Sequence, residues 1–205
     1  KPSVSTDFNN KIHYVPKKIK SKTPIGLFLC GWQRNKNVML IPEIANKFKE
    51  ANQEFHFILT APLDNSYDHK QFKQLVRKFN VSDMISVVGQ IQKEELKSLY
   101  QQIDYVFLLS KLESFSNNII EAWQHEKTLV VSNEIWAKSI CKDAAIYVDR
   151  NSSVQISKKI MELEQKPIIK KIVIDNGKIV LKEYPSIMQK TQQELDYIKY
   201  VYKKS

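Results

Sequence analysis

The chain has 205 residues, of which 42% are hydrophobic and 10% aromatic, and this balance excludes a disordered chain. The length fits one full domain or one lobe of a larger enzyme. Apolar runs such as residues 25–30 and 106–109 are far shorter than the roughly 18 residues of a membrane span, so we expect none. The first residue is Lys1 and no signal peptide follows, from which we expect an excised part of a longer protein.

The formal net charge is +10, and 29 of the 32 basic side chains are lysines. Proteins that bind nucleic acid usually rely on arginine, whose planar fork makes bidentate contacts. We therefore interpret most lysines as solvated residues on helix faces and expect no nucleic-acid partner. Phosphate binding, or peripheral contact with the anionic inner face of a membrane, is the alternative that the charge leaves open. Two cysteines without a C-x-x-C motif indicate a reducing, cytoplasmic compartment.

Short apolar runs alternate with amphipathic stretches from Thr23 onward. The predicted strands are Ile25–Cys30, Phe55–Thr60, Met84–Val88, Tyr105–Leu109, Leu129–Ser132 and Ala145–Val148. The first predicted helix is capped by Asn37 and buries Ile41, Ile44, Ala45 and Phe48. The other predicted helices of this region are Gln71–Phe79, with Leu75 and Phe79 pointing inward, Lys93–Gln102, one that starts at about Asn117, and Val154–Leu163. The alternation predicts an α/β fold with a doubly wound, mostly parallel sheet.

The segments outside this alternation form the two ends of the chain. Residues 1–22 are polar and lysine-rich, which is typical of a linker or edge segment, and we place the folded lobe at 23–166. The C-terminal helical tail, 167–205, is ambiguous over 167–183, because Asp175-Asn176-Gly177 is typical of a hairpin turn while the isoleucines around it follow a helical period. Helix and hairpin both stay open there. Ile187, Thr191, Leu195, Ile198 and Tyr202 have the spacing of a long amphipathic helix.

Three loops at the carboxyl ends of predicted strands are the candidate ligand sites, namely 31–37, 89–92 and 110–118. The third loop contains Glu113 and leads into a helix that carries Glu121. Free backbone N–H groups at the start of that helix favour a phosphate. The two carboxylates are too far apart to share one metal ion, but they can reach opposite ends of an extended ligand. A carboxylate that accepts hydrogen bonds from two vicinal hydroxyls is the usual way to bind a sugar or a ribose.

The Glu113-Ser114-Phe115 sequence, with Glu121 after seven intervening residues, resembles the Glu-x7-Glu signature of retaining family 4 (group 1) glycosyltransferases. Further landmarks resemble the family in the same order. They are Gly31 with Arg34 and Lys36, Val87-Val88-Gly89 with Glu94 and Tyr100, the strand Asp104–Ser110, and the last strand Asp143–Asp149. The resemblance covers about residues 23–163. It implies the GT-B fold of two Rossmann-like lobes, of which this chain would be the C-terminal, donor-binding lobe. Its partner would be an N-terminal lobe, onto which residues 185–204 would cross back.

The resemblance also implies what the residues do. Glu113 would contact the donor sugar near its anomeric carbon, Glu121 would hold the ribose, and Lys36 with Arg34 would neutralise the leaving pyrophosphate. The catalytic group would be Glu113, Lys36 and Arg34. The donor-binding residues would be Gly31, Gly89, Gln90, Ile91, Ser110, Ser114, Phe115, Ser116, Asn117, Asn118 and Glu121. The implied substrates are a nucleoside-diphosphate sugar and a glycan or glycolipid acceptor, in bacterial polysaccharide or glycolipid synthesis, with no metal ion or other cofactor.

The chain departs from the family's pattern in three places. Trp32 follows Gly31 where the family has an arginine, Ser116 replaces a glycine before the helix, and residues 126–128 read Glu-Lys-Thr instead of Gly-Lys-Pro. These departures leave open a non-catalytic nucleotide-sugar-binding or scaffold subunit. The residues alone also leave open an unrelated α/β regulatory or nucleic-acid-binding module.

Other active-site classes find no support in the sequence. The four histidines have no triad or metal-ligand spacing, and we interpret His56, which lies in a predicted strand, as a core residue. The serines lack a G-x-S-x-G motif, and the chain has neither a P-loop nor a G-x-G-x-x-G fingerprint. We interpret Trp123 and Trp136 as packing residues of the core or of a lobe contact.

Overall fold

A computed structural model of the chain describes Tyr14, Lys20 and residues 22–185 and 187–202. The predicted linker, 1–22, lies almost entirely outside the described residues. Six strands form one sheet in which every neighbouring pair is parallel. The strands are β1 Ile25–Phe28, β2 His56–Leu59, β3 Ile85–Val87, β4 Tyr105–Leu108, β5 Thr128–Ser132 and β6 Ile146–Val148. Their order, β3-β2-β1-β4-β5-β6, is that of a Rossmann-like sheet and confirms the predicted fold class.

Eight helices connect and cover the strands in the described residues. They are α1 Ile41–Glu50, α2 Tyr67–Phe79, α3 Leu96–Gln101, α4 Asn117–Gln124, α5 Ile135–Cys141, α6 Ser153–Glu164, α7 Pro167–Leu181 and α8 Ile187–Tyr202. Short 3-10 turns cover Arg34–Lys36, Val38–Leu40 and Lys93–Glu95. None of the described helices is long and apolar enough to cross a bilayer.

The two central strands, β1 and β4, consist of glycine and hydrophobic residues because helices cover both faces of the sheet. Side chains of alternate residues point to opposite faces of the sheet, so the strands together contribute to two hydrophobic cores, one on each face. Phe28, Phe57 and Phe107 belong to an aromatic core on one face, where the Phe28 and Phe107 rings stack at 4.9 Å. Leu27 and Val106 belong to the core on the other face. The strand ends are therefore held rigidly from both sides.

The start of α1 differs from the prediction. The helix begins at Ile41, and Asn37 does not cap it, since its side chain accepts no hydrogen bond from the helix. Asn37 instead ends the first 3-10 turn with a φ of 60°, and its side-chain amide donates to the backbone carbonyl of Arg150. The predicted apolar stripe is confirmed, because Ile41, Ile44, Ala45 and Phe48 are all buried.

Two further helices differ from the prediction. In α2 the buried side chains are His69 and Phe72, whereas Leu75 and Phe79, expected to point inward, are only half-buried. Ser66 caps this helix, which starts four residues earlier than predicted. The short helix α5 was not predicted at all.

The ambiguous segment of the tail is the helix α7, so the hairpin interpretation is wrong. Gly177 does not form a turn there. A Cβ atom added to it would lie 2.5 Å from Cδ1 of Trp123, which means that glycine is needed for α7 to approach α4. The Asn176 side chain donates to the Asp143 carbonyl at 3.0 Å. The predicted long tail helix is confirmed as α8.

Candidate functional site

The candidate site lies at the carboxyl edge of the sheet, between β1 and β4. These two strands are neighbours, and Gly26 and Leu27 pair with Tyr105 and Val106. The order of the strands reverses between them. After β1 the chain continues to β2, on the side away from β4, and after β4 it continues to β5, on the side away from β1. Loops that leave two such strands in opposite directions open a crevice. The predicted loops 31–37 and 110–118 flank this crevice.

Lys36 and Glu113 meet across the crevice, although 77 residues separate them. Lys36 lies in the first 3-10 turn after β1, and its Nζ forms an ion pair with Oε1 of Glu113. The same oxygen accepts a hydrogen bond from Oγ of Ser110 at 2.6 Å. Only 11% of the Glu113 side chain and 21% of the Lys36 side chain is exposed. The pair therefore combines a fixed carboxylate with a fixed ammonium group, largely out of water.

Arg34, the third predicted catalytic residue, is not part of this pair. It is exposed on the same 3-10 turn, and its side chain forms no hydrogen bond or ion pair within the described residues. Lys36 is thus the cation that the fold brings to Glu113.

The first turn of α4 lies beside this pair. Ser116 is buried and precedes the helix in an extended conformation, with φ −126° and ψ 125°, which any residue adopts. A serine in place of the family's glycine is therefore not strained. The Asn118 side chain donates to the Leu29 carbonyl at 2.9 Å and fastens this turn to the end of β1. Of the first-turn N–H groups, that of Ile119 donates to the Ser116 carbonyl at 3.1 Å, whereas those of Asn117 and Asn118 have no backbone partner among the described residues, and the Ser116 side chain does not cap the helix.

Glu121 lies on α4, one turn past its start, and is half-buried. The fully buried Tyr100 of α3 donates its hydroxyl to Oε2 of Glu121 at 3.0 Å. Burial, followed by the negative charge of Glu121, raises the pKa of Tyr100, so the hydroxyl keeps its proton and stays a donor. His125 stacks on the Tyr100 ring at 4.6 Å. Tyr100 therefore orients the carboxylate, a role that its place on the buried side of α3 did not by itself indicate.

A polar cleft of about 520 Å³ adjoins the crevice. Its lining includes the predicted residues Gly31, Gln90 and Ile91. Gly89, which precedes Gln90, has a φ of 82°, a conformation that favours glycine and turns the chain after β3. The full lining is Leu29, Cys30, Gly31, Trp32, Gln33, Thr60, Pro62, Gln90, Ile91 and Gln92.

Trp32, at the position where the family has an arginine, forms a wall of this cleft. It is buried, and its Nε1 donates to the Pro62 carbonyl at 2.8 Å. Its ring stacks on the buried His69 ring at 4.9 Å. Trp32 thus ties the loop after β1 to the loop after β2 and cannot supply the positive charge of an arginine.

Cys30 lines the same cleft and lies in the electric field of the Lys36–Glu113 pair. Burial raises the pKa of its thiol to about 12, while Lys36 lowers it and Glu113 raises it further. Its backbone N–H donates to Oγ1 of Thr60 at 3.1 Å. The thiol is protonated at neutral pH and is not a nucleophile there.

The fold thus collects most of the predicted residues and leaves three outside. Ser110 and Ser116–Asn118 join Lys36, Glu113 and Glu121 around the crevice. Arg34, Ser114 and Phe115 are exposed at its rim, where the Phe115 ring packs on Tyr184 at 5.7 Å.

Arg150, which the sequence did not single out, donates from Nε to the Leu109 carbonyl at 3.0 Å, between the two loops.

Among the described residues, no group of three or more His, Cys, Asp or Glu side chains is placed to hold a metal ion. A separate cavity of about 360 Å³ opens at the opposite, amino edge of the sheet, near Glu54 and Asp83.

Comparisons with known proteins identify the family. The sequence model of the family described as "Glycosyl transferases group 1" matches residues 10–180. A comparison with curated proteins found no match.

Several solved structures share the fold at low sequence identity. Sucrose-phosphate synthase from Thermosynechococcus elongatus is 17% identical, with a TM-score of 0.79 over 91% of this chain and 47% of that one. The C-terminal domain of a glycosyl transferase group 1 family protein (LpcC) from Francisella tularensis is 23% identical, with a TM-score of 0.68 over 83% of this chain and 90% of that one. Anabaena Alr3699/HepE in complex with UDP-glucose is 14% identical, with a TM-score of 0.76 over 87% of this chain and 49% of that one. The chain thus spans about half the length of the synthase and of Alr3699/HepE.

Proposed function

This chain belongs to the glycosyl transferases group 1 family, and we propose that it is the donor-binding lobe of a retaining glycosyltransferase. The reaction transfers a sugar from a nucleoside diphosphate to an acceptor. The observation that carries the proposal is that Glu113, Lys36 and the start of α4 share one crevice. It is supported by the likeness in fold to Alr3699/HepE, whose structure contains UDP-glucose.

Each part of the donor has a matching group along this edge. The cleft beside Gly89 takes the nucleobase, and Glu121, oriented by Tyr100, accepts hydrogen bonds from the ribose hydroxyls. The first-turn N–H groups of α4 and the ammonium of Lys36 hold the diphosphate. Glu113, fixed by Ser110, accepts hydrogen bonds from the hydroxyls of the transferred sugar.

The chemical role of Lys36 follows from its position. When the bond between the sugar and the diphosphate breaks, negative charge grows on the departing phosphate oxygens. A fixed cation in a crevice of low water content stabilises that charge more than it stabilises the bound donor, which lowers the barrier. Lys36 and the helix N-terminus supply this positive charge, so the proposal requires no metal ion.

A second lobe covers this edge in the proposed enzyme and brings the acceptor. Between residues 22 and 165, the large apolar side chains that are exposed lie in loops or first helical turns at the carboxyl edge of the sheet. They are Leu63, Tyr67, Leu112, Phe115, Ile135 and Val154. Apolar residues gathered around a crevice are typical of a surface that contacts another protein part. The chain by itself is therefore expected to bind donor weakly and to turn over little or none.

Calorimetry with UDP-, GDP- and ADP-sugars tests the donor-binding role. We expect one nucleotide class to bind, and the Glu121→Ala variant to bind it about tenfold more weakly, since two hydrogen bonds to the ribose are lost. Glu50→Ala, at the other edge of the sheet, is the matched control and should bind like the wild type. Binding of no nucleotide sugar, or equal binding by Glu121→Ala, would contradict the proposal.

A second candidate function is a non-catalytic nucleotide-sugar-binding or scaffold subunit. Trp32 favours it, because this buried side chain occupies the position of the family's arginine and leaves Lys36 as the fixed cation. The two candidates differ in the effect of Glu113→Ala in the full-length protein. If the protein is an enzyme, this variant loses sugar transfer. If the protein is a scaffold, the complex that contains the variant keeps its activity.

A further inference from the structure

Arg150 contacts both loops that carry the Lys36–Glu113 pair. It follows β6, two strands away from β4, and its Nε donates to the Leu109 carbonyl at 3.0 Å. Its Nη2 donates to the Asn35 carbonyl at 3.5 Å, and its Nη1 donates to Oδ1 of Asn151 at 3.2 Å. All three guanidinium nitrogens are thus engaged by protein atoms. These bonds use three of the five N–H donors of the guanidinium and fix its orientation between the two loops.

The contacts with the Lys36 loop are reciprocal. The side-chain amide of Asn37 donates to the Arg150 carbonyl. The Asn35 carbonyl, which accepts from Arg150, also accepts from the backbone N–H of Lys111 at 3.1 Å. Lys36 therefore lies between two residues that are fastened to Arg150.

The 3-10 turn that carries Lys36 needs such external contacts. Its own backbone hydrogen bonds are Lys36 N–H to the Gln33 carbonyl and Asn37 N–H to the Arg34 carbonyl. A single short turn of this kind does not define its own position relative to the sheet. On the other side of the crevice, Lys111 lies two residues before Glu113. A movement of the turn relative to Leu109 and Lys111 changes the distance between Lys36 and Glu113.

The residue type at position 150 fits this role. Lysine supplies 29 of the 32 basic side chains in this chain, yet position 150 is an arginine. A planar guanidinium donates in several fixed directions to carbonyls on different loops, whereas an ammonium group on a flexible stem does not hold two loops in one geometry.

We propose that Arg150 is a positioning residue that clamps the Lys36 turn to the Glu113 loop and so preforms the pair that receives the donor, with Lys36 at its diphosphate and Glu113 at its sugar. This inference rests on the proposed function for the role of the pair, but the clamp itself is a property of the unliganded chain. It assigns Arg150 an action through Lys36, without contact with the donor.

Amide hydrogen exchange of the unliganded chain tests the clamp. We expect the Lys111 N–H to exchange about tenfold faster in Arg150→Ala, because the partner carbonyl is released. Asn37→Gly keeps the left-handed backbone, removes only the side-chain bond, and should give a smaller acceleration. Arg77→Ala, on the exposed side of α2, is the matched control. Unchanged exchange in a folded Arg150→Ala or Arg150→Lys variant would overturn the proposal.

A double-mutant cycle with UDP tests the action through Lys36. Arg150→Ala alone should weaken UDP binding by about tenfold or more. In a Lys36→Ala background, the same substitution should add less than about a twofold loss, because the group that it positions is gone. Effects that simply multiply would show that Arg150 acts independently of Lys36 and would refute the proposal. If the wild type binds no nucleotide, the proposed function fails, and the exchange experiment still decides whether the clamp exists.

Discussion

Gly177→Ala tests the contact between α7 and α4, the helix that begins at the candidate site. The added Cβ would lie 2.5 Å from Cδ1 and 3.0 Å from Cγ of Trp123. Trp123 is 2% exposed, and its Nε1 donates to the Ala144 carbonyl at 3.0 Å, so the indole has nowhere to move. Overpacking of this kind costs about 3 kcal/mol, while alanine stabilises a helix by about 1 kcal/mol relative to glycine. The net loss is therefore about 2 kcal/mol.

Urea denaturation and thermal melting measure this loss. For a chain of this size, about 2 kcal/mol corresponds to a fall in Tm of about 4–8 °C. In a Trp123→Leu background the ring is absent, and the same substitution should be neutral or stabilising. A Gly177→Ala variant as stable as the wild type, or an equal cost in both backgrounds, would refute the account of α7.

Three further predictions concern the site and the two cysteines. Lys36→Ala should weaken UDP binding by about 10–100-fold in calorimetry, since the diphosphate loses its fixed cation; binding within twofold of the wild type would contradict this. Tyr100→Phe should weaken binding of a nucleoside diphosphate by up to about tenfold, because Glu121 loses the hydrogen bond that orients it; a fully retained affinity would show that the hydroxyl is dispensable. Burial raises the pKa of both Cys30 and Cys141 to about 12, from 9.0 for a free thiol. Iodoacetamide at pH 8 should therefore label the folded chain about a thousandfold more slowly than the unfolded chain, because it reacts with the thiolate. Mass spectrometry follows the labelling. Unfolded thiols release protons first, so the free energy of unfolding should fall as pH rises from about 9 towards 12; rapid stoichiometric labelling of the folded chain would contradict the burial of these thiols.

The sheet was predictable because its information is local. A strand covered on both faces is a continuous apolar run, and β1 and β4 each have this pattern. The helix α5 was missed because it has only seven residues and no side-chain cap. Its residues Trp136, Ala137 and Cys141 are buried by packing, which no short sequence pattern specifies.

Two of the differences, the start of α1 and the choice between helix and hairpin at 167–183, share one cause, which is that a distant residue decides a local choice. Asn37 has the side chain of a helix cap, but its amide binds the Arg150 carbonyl, 113 residues away. Asp175-Asn176-Gly177 is typical of a turn, but Gly177 is present because Trp123 lies against the helix. In both cases a tertiary contact outweighs a local preference.

The candidate site depends on distant residues in the same way. Glu113, Glu121 and Lys36 could be predicted as site residues because the family resemblance relates positions that are far apart in the sequence. The support of these residues was not visible in the sequence, since Arg150 binds backbone carbonyls, which every residue has. Positioning residues of this kind appear only when the loops are seen together.

A titration of the ¹⁵N-labelled chain with UDP-glucose, followed by the chemical shifts of its backbone amides, locates the donor-binding site directly. Donor binding in the crevice predicts that the largest changes occur at residues 89–92, at Ser116–Asn118 and at Lys36, with little change at Glu54 and Asp83 in the cavity of the opposite edge. Changes centred on that opposite edge, or no changes at millimolar UDP-glucose together with none for GDP- and ADP-glucose, would contradict the claim.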